Sequence, residues 1–217
     1  MVEFVLRALF IALVAYLCGG LNGAVIVSKY IFRDDVRNHG SGNAGLTNFM
    51  RVFGRKLASV VILTDVVKAV IALCVGYLIM FQYTPPFEIA HFRTVTALWA
   101  AAFCLLGHMF PVMFHFKGGK GVLSGGIIAI MIDWRVALVV WGGFILLVIL
   151  TKWVSLGSCW AGLMFPVSIL LVFMDPVCTV LGIVCGGLLL FQHRGNIKRL
   201  VTGKEPKFSI HRNKESH

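Results

Sequence analysis

Long stretches nearly free of charge alternate with short polar breaks along this chain. Apolar runs lie at about 4–27, 57–81, 95–114, 122–132, 136–151, 154–174 and 177–191, separated by charged, proline-containing or glycine-rich segments. A helix needs ~20 apolar residues to cross a hydrocarbon layer of ~30 Å, so the pattern predicts an all-α integral membrane protein with about seven transmembrane helices. The fourth run is too short, because its residues rise only about 16 Å as a helix. Fusing it with the fifth, over 122–151, would carry Asp133 and Arg135 to mid-membrane at several kcal/mol each. The expectation is therefore seven helices, some short or broken, in a single polytopic domain over 1–217. The last residues, about 203–217, are polar and read as a mobile cytoplasmic tail.

Composition sharpens this picture. Of 217 residues 59% are hydrophobic and 13% charged, with a mean hydropathy of +0.88, against about 25% charged in a soluble domain. A net charge of +11 on a soluble surface would point to nucleic acid, but here the cations fall between apolar runs, which excludes that partner. Sixteen of the twenty Lys and Arg lie in four stretches: 29–56, 117–120, Lys152, and the tail from Arg194. By the positive-inside rule these are cytoplasmic, which places the N-terminus outside and the C-terminus inside. Seven spans, unlike six, bring every basic motif to one face. The first run continues through Val27 and opens with Glu3 and Arg7, which argues against a cleaved secretory signal. The six cysteines sit in apolar runs without disulfide or metal spacing, so no metal and no cofactor is implied. Gly19-x-x-x-Gly23 and Gly182-x-x-x-Gly186 have the small-residue spacing of closely packed membrane helices.

Three polar motifs carry the chemistry. The first, residues 40–51, places Ser41, Gly42, Asn43, Gly45, Thr47, Asn48 and Arg51 on a glycine-rich turn that runs into a helix. Glycine at positive φ lets successive N–H groups converge on an anion, and Arg51 offers a two-pronged contact to phosphate. The second runs from Gly107-His108 to Lys117-Gly118-Gly119-Lys120-Gly121, a lysine between glycines entering a short helix. It is not a Walker loop, since Gly121 stands where the hydroxyl residue belongs. The third, residues 192–199, puts His193 and Asn196 on one helical face and Arg194 and Lys198 on another. Each motif has a plainer reading by itself. Glycines pack helices, Lys117 and Lys120 anchor at headgroups, a lone His108 is a hydrogen-bonded structural residue, and a polybasic end binds lipid. Asp65 and Lys68, one helical turn apart inside the second run, form either an ion pair of the scaffold or part of a site. The Thr151–Ser155 stretch either lines the site or anchors its helix.

No histidine is followed five residues later by aspartate, and neither H-E-x-x-H nor G-x-S-x-G occurs. Taken together, Gly-Ser-Gly-Asn-x-Gly-x-Thr-Asn-x-x-Arg, Gly-His-x-x-Pro-x-x-x-x-Phe-Lys-Gly-Gly-Lys-Gly and His-Arg-x-Asn-Ile-Lys-Arg-Leu closely resemble the PlsY family in order and spacing over essentially the whole chain. Ala15–Gly19 and Trp153–Leu156 resemble further family segments. Leu46, Ala69 and Leu123-Ser124 depart from the family pattern without touching the charged set.

The resemblance implies transfer of a fatty acyl group from acyl phosphate to the 1-position of glycerol 3-phosphate, giving lysophosphatidic acid and inorganic phosphate. It implies a bacterial inner-membrane enzyme with its site at the cytoplasmic face, and because acyl phosphate is already activated, direct attack without an acyl-enzyme intermediate is the expected course. Positions matching Ser41, Arg51, Lys120, His193 and Asn196 are implied to bind glycerol 3-phosphate, and the glycine-rich segments to handle acyl phosphate. His193, Lys120 and Ser41 are the catalytic candidates. Membrane lipid and a transiently docking acyl-phosphate synthase are the implied partners. The competing expectation is a transporter of phosphate or a polyol phosphate, since broken helices with glycine-rich ends also build transport sites.

Overall fold

The computed structural model describes residues 1–208 and is helical throughout its membrane-crossing part. In chain order the helices are α1 (Val2–Gly20), α2 (Gly23–Tyr30), α3 (Leu46–Phe53), α4 (Ala58–Met80), α5 (Phe92–Met109), α6 (Val122–Ile132), α7 (Trp134–Thr151), α8 (Val154–Phe173), α9 (Pro176–Gln192) and α10 (Arg194–Val201). Short 3-10 turns at Val36–Asn38 and Val112–Phe114 interrupt the loops.

All seven apolar runs are helical, yet they are not seven equal spans. Among the described residues five segments are long and apolar enough to cross a membrane, and α9 with α10, bent by 61° at the break between them, passes the same test as a pair. The short α6 keeps its 11 residues. Asp133 ends it and caps α7, its carboxylate accepting the Arg135 N–H at 2.8 Å and pairing with the Arg135 guanidinium at 3.0 Å. The expected break is thus made by a charge that serves as a cap.

The first run differs from its expected form. It breaks at Leu21–Asn22, where the Asn22 side chain accepts the Val25 N–H at 3.1 Å and starts α2. Leucine and alanine continue a helix, whereas asparagine competes for its backbone, so the apolar pattern could not register the interruption. The break also divides the Gly19–Gly23 pair. Gly19 faces the Cys104 carbonyl on α5, while Gly23 faces Thr64 and Val61 on α4.

At the centre stands α5, whose Ala97, Leu98, Ala100, Ala101, Cys104 and Leu105 are buried. In lipid the packing of such helices rests on close contact rather than on expulsion of water. A Cβ on Gly107 would strike the Tyr16 carbonyl, so α1 and α5 approach nearly backbone to backbone. Gly186 of α9 meets Gly162 and Pro166 of α8 in the same manner. These tight crossings fix the helix ends that carry the polar loops.

Candidate active site

The loop before α3 is organised from inside by Asn48. Its side-chain oxygen accepts the Ser41 N–H at 2.9 Å, and its amide donates to the carbonyls of Val36 and His39 at 3.0 Å each. Gly40 and Gly42 take φ of 59° and 68°, turning the chain so that Ser41 sits at the rim. Asn48, expected as an anion donor, is committed to the loop. Arg37 joins this loop to the second motif, donating to the carbonyls of Phe114 and Lys117 at 2.9 Å each. Asp35 holds the same guanidinium at 2.8 Å. The hydrogen bond from Arg37 keeps the Asp35 carboxyl at a pKa of about 2 despite partial burial.

The second motif doubles back on the end of α5. Gly118 N–H donates to the Met109 carbonyl and Gly119 N–H to the His108 carbonyl, both at 3.1 Å. Side chains are excluded at both glycines: a Cβ on Gly118 would strike the His108 carbonyl, and one on Gly119 the His108 ring. Gly121, at φ 75°, turns the chain into α6. Lys120 is thereby aimed across to α10, where its ammonium donates to the Asn196 side-chain oxygen. Burial first, then the neighbouring Arg199 charge, push the Lys120 pKa down to about 8.

The third motif lies at the α9–α10 bend. His193 Nδ1 lies 2.8 Å from the Leu189 carbonyl, which can only accept, so Nδ1 carries the proton and Nε2 a lone pair. Asn196 donates to Glu205 at 2.7 Å, and Arg199 donates to the other oxygen of the same carboxylate at 2.7 Å. Residues 204–208, expected within a mobile tail, are pinned: Trp153 Nε1 donates to the Glu205 carbonyl at 3.1 Å and Phe208 N–H to Lys152 at 2.8 Å. The expected tail beyond them, 209–217, lies outside the described residues.

These three segments enclose one cavity of about 310 Å3, lined by Ser41, Asn43, Gly45, Thr47, Asn48, Arg51, His108, Lys120, Gly121, His193 and Asn196. Of the residues expected in the site, Gly42, Lys117, Gly118 and Gly119 do not line it. They shape the loops instead, and Lys117 is exposed. Arg194 and Lys198 also stay outside, and Arg194 turns back onto the Phe191 carbonyl at 2.9 Å.

The cavity adds Asp65, Ser155, Arg199 and Glu205, with Trp141 and Phe144 on an apolar side. Arg199 reads in sequence as one more tail cation. The signal for Glu205 is an acidic residue standing in a basic tail. Ser155 Oγ is buried, makes no hydrogen bond of good geometry among the described residues, and lies beside the Glu205 carboxylate as its nearest acceptor. From the 151–155 stretch only Val154 and Ser155 reach the cavity, while Lys152 is exposed.

Chemically the cavity offers cations from three different segments, a histidine lone pair, a buried serine hydroxyl and an adjoining apolar wall. Fold and site together define a multi-pass membrane protein whose chamber suits an anionic ligand with an apolar extension. The sequence profile of the glycerol-3-phosphate acyltransferase family matches residues 9–203. A glycerol-3-phosphate acyltransferase of Thermoanaerobacter pseudethanolicus is 35% identical over 200 residues, 92% of this chain and 95% of the relative. One from Yersinia pestis is 38% identical over 201 residues, 92% of this chain and 87% of that protein. The crystal structure of PlsY, an integral membrane glycerol 3-phosphate acyltransferase, in its glycerol 3-phosphate form matches with a TM-score of 0.80 at 31% identity, covering 93% of this chain and 96% of PlsY. Its lysophosphatidic acid form matches with a TM-score of 0.77 at 30% identity, covering 94% and 96%. The chain belongs to the glycerol-3-phosphate acyltransferase family, which sets the transporter reading aside.

Proposed function

We propose that this acyltransferase takes a fatty acyl group from acyl phosphate and places it on the 1-hydroxyl of glycerol 3-phosphate, releasing lysophosphatidic acid and inorganic phosphate. The observation that carries the reading is the meeting of Ser41, Arg51, Lys120, His193 and Asn196 in one cavity beside an apolar wall. Both substrates are phosphates and one bears a lipid tail, which is the pairing such a chamber accommodates.

In this reading Arg51 and Lys120, joined by Arg199, hold the glycerol 3-phosphate anion by charge-assisted hydrogen bonds. Ser41 and Asn196 orient its glycerol part. The 1-hydroxyl oxygen attacks the acyl carbon, a new C–O ester bond forms, and the acyl–phosphate C–O bond breaks with its electron pair leaving on phosphate. The hydroxyl proton passes to the His193 Nε2 lone pair or to the departing phosphate. An activated donor needs positioning and leaving-group stabilisation more than a strong nucleophile, so no acyl-enzyme forms.

The positive-inside distribution supports a cytoplasmic site in the bacterial inner membrane, with the N-terminus outside and the C-terminus inside. There a soluble acyl-phosphate synthase would meet the enzyme transiently. The deciding experiment assays detergent-purified protein with acyl phosphate, acyl-CoA and acyl carrier protein thioester as donors. Lysophosphatidic acid from acyl phosphate alone is the expected product. Turnover with a thioester, or acyl label trapped on Ser41 or a cysteine, overturns the proposal, and periplasmic activity of alkaline phosphatase fused after His217 overturns the orientation.

A further inference from the structure

Beside the cavity lies a buried polar chain that the proposed reaction leaves without a task. Lys68 Nζ stands 2.6 Å from Asp65 Oδ1, 2.5 Å from His108 Nδ1 and 3.3 Å from the Leu21 carbonyl. The Lys68, Asp65 and His108 side chains are 1%, 7% and 3% exposed. An ammonium has three protons and no lone pair, so three acceptors around it occupy all three. His108 Nδ1 must then supply a lone pair, which leaves the ring neutral with its proton on Nε2. Asp65 Oδ1, at 3.7 Å from Nδ1, is too distant to compete. Ser124 of α6 donates to the Asp65 carbonyl at 3.2 Å and ties the cluster to the second wall of the cavity.

The Nε2 side of the ring points to use by a ligand. His108 lines the cavity, and its Nε2 lies against Gly119, where any side chain would collide with it. The hydrogen bond that the His108 side chain makes among the described residues is the one at Nδ1. His193 is held in the opposite tautomer by Leu189, so the two imidazoles present one donor and one acceptor to the same space. A neutral, rigidly held N–H adds little attraction for a substrate anion beside the cations at Arg51 and Lys120. It is effective at an oxygen that acquires charge during reaction.

We propose that Asp65 and Lys68 are positioning residues that hold His108 as a fixed Nε2–H donor to the acyl carbonyl oxygen of acyl phosphate as the hydroxyl adds to it. The assignment rests on the acyl-phosphate reading above. It places His108 among the catalytic residues and makes the Asp65–Lys68 pair responsible for its tautomer.

The test combines nitrogen NMR of histidine-labelled enzyme with steady-state kinetics. The resting wild type is expected to show an unprotonated Nδ1 and a protonated Nε2 for the signal that His108→Leu removes. His108→Leu is expected to lower kcat roughly 100-fold or more, with the KM for glycerol 3-phosphate unchanged. His108→Gln, which restores a donor amide, should recover about tenfold of that loss. The double variant Asp65→Asn/Lys68→Met removes both charges together, so no lone buried ion remains to unfold the protein. It should show a mixed His108 tautomer and about a tenfold lower kcat. A wild-type Nδ1 proton, equal activity of the Gln and Leu variants, or a loss confined to KM overturns the proposal. The tautomer is read without substrate, so an enzyme inactive with acyl phosphate yet carrying the Nε2 proton overturns the donor reading and not the positioning.

Discussion

Lys120 donates to Asn196 across the cavity, joining side chains 76 positions apart in sequence. Because the Asn196 oxygen faces Lys120, its amide nitrogen faces Glu205, and the second motif, the third motif and the 204–208 segment become one hydrogen-bonded unit. Substitutions at these positions therefore have consequences beyond a lost charge.

Lys120→Ala and Arg51→Ala are each expected to cut kcat/KM for glycerol 3-phosphate by about 100-fold or more, the scale of removing a positioned cation from a reacting phosphate. Arg51 is exposed and its loss leaves the helix pattern untouched, so helical circular dichroism and gel-filtration profile should match the wild type. Near-normal turnover in either variant would remove that residue from the site.

The depressed Lys120 pKa gives binding a pH dependence of known sign. Below about 8 the empty site holds an ammonium, and above it the cation is lost, well before the ordinary 10.5. The KM for glycerol 3-phosphate should then climb as pH rises through about 8. Substrate dianion raises the pKa in the complex, so kcat should change less. Initial rates across pH about 6 to about 10, with acyl-phosphate hydrolysis subtracted, measure this. Lys120→Arg, which stays charged, should flatten the climb.

Glu205→Ala leaves the Asn196 amide and the Arg199 guanidinium without their shared acceptor. Hydrogen bonds to a charged group contribute about 1.5–3 kcal/mol, so the variant should melt at a lower temperature and also lose activity. Limited proteolysis reports the release of 204–208. An unchanged cleavage pattern together with full activity would show that the carboxylate has no such role.

Arg37→Gln cuts the link from the first loop to the carbonyls of Phe114 and Lys117. The expected result is a rise in KM for both substrates of about threefold to tenfold and a stability loss of about 1–3 kcal/mol. Asp35 supports the same guanidinium with its pKa lowered to about 2. A lowered carboxyl pKa stabilises the fold above the unfolded value of about 3.9, and that contribution is lost as pH falls toward the folded value. Acid unfolding of Asp35→Asn should accordingly be less steep than that of the wild type over this window.

Hydropathy exposed all seven helical runs because lipid forbids unsatisfied backbone and so writes its demand as long apolar stretches. It could not expose the break at Asn22, since one polar residue barely alters a window average. The motifs named most of the cavity, including Ser41, Arg51, Lys120, His193 and Asn196. What stayed hidden depends on distance in space. Arg37 and Asn48 look like loop donors until their partners are seen to be carbonyls of the protein itself. Arg199 and Glu205 matter because α10 folds back over the cavity at the His193 bend, and a bend of 61° leaves no trace in residue spacing.

The pinned 204–208 segment also separates a threaded bundle from a finished chamber. Glu205, Pro206 and Phe208 line the cavity although they follow the last helix, so a polypeptide cut after Val201 would keep every helix and yet lack one side of its chamber. The chamber is thus closed by a short strap that is held by side chains and carbonyls of the bundle and not by its own helix.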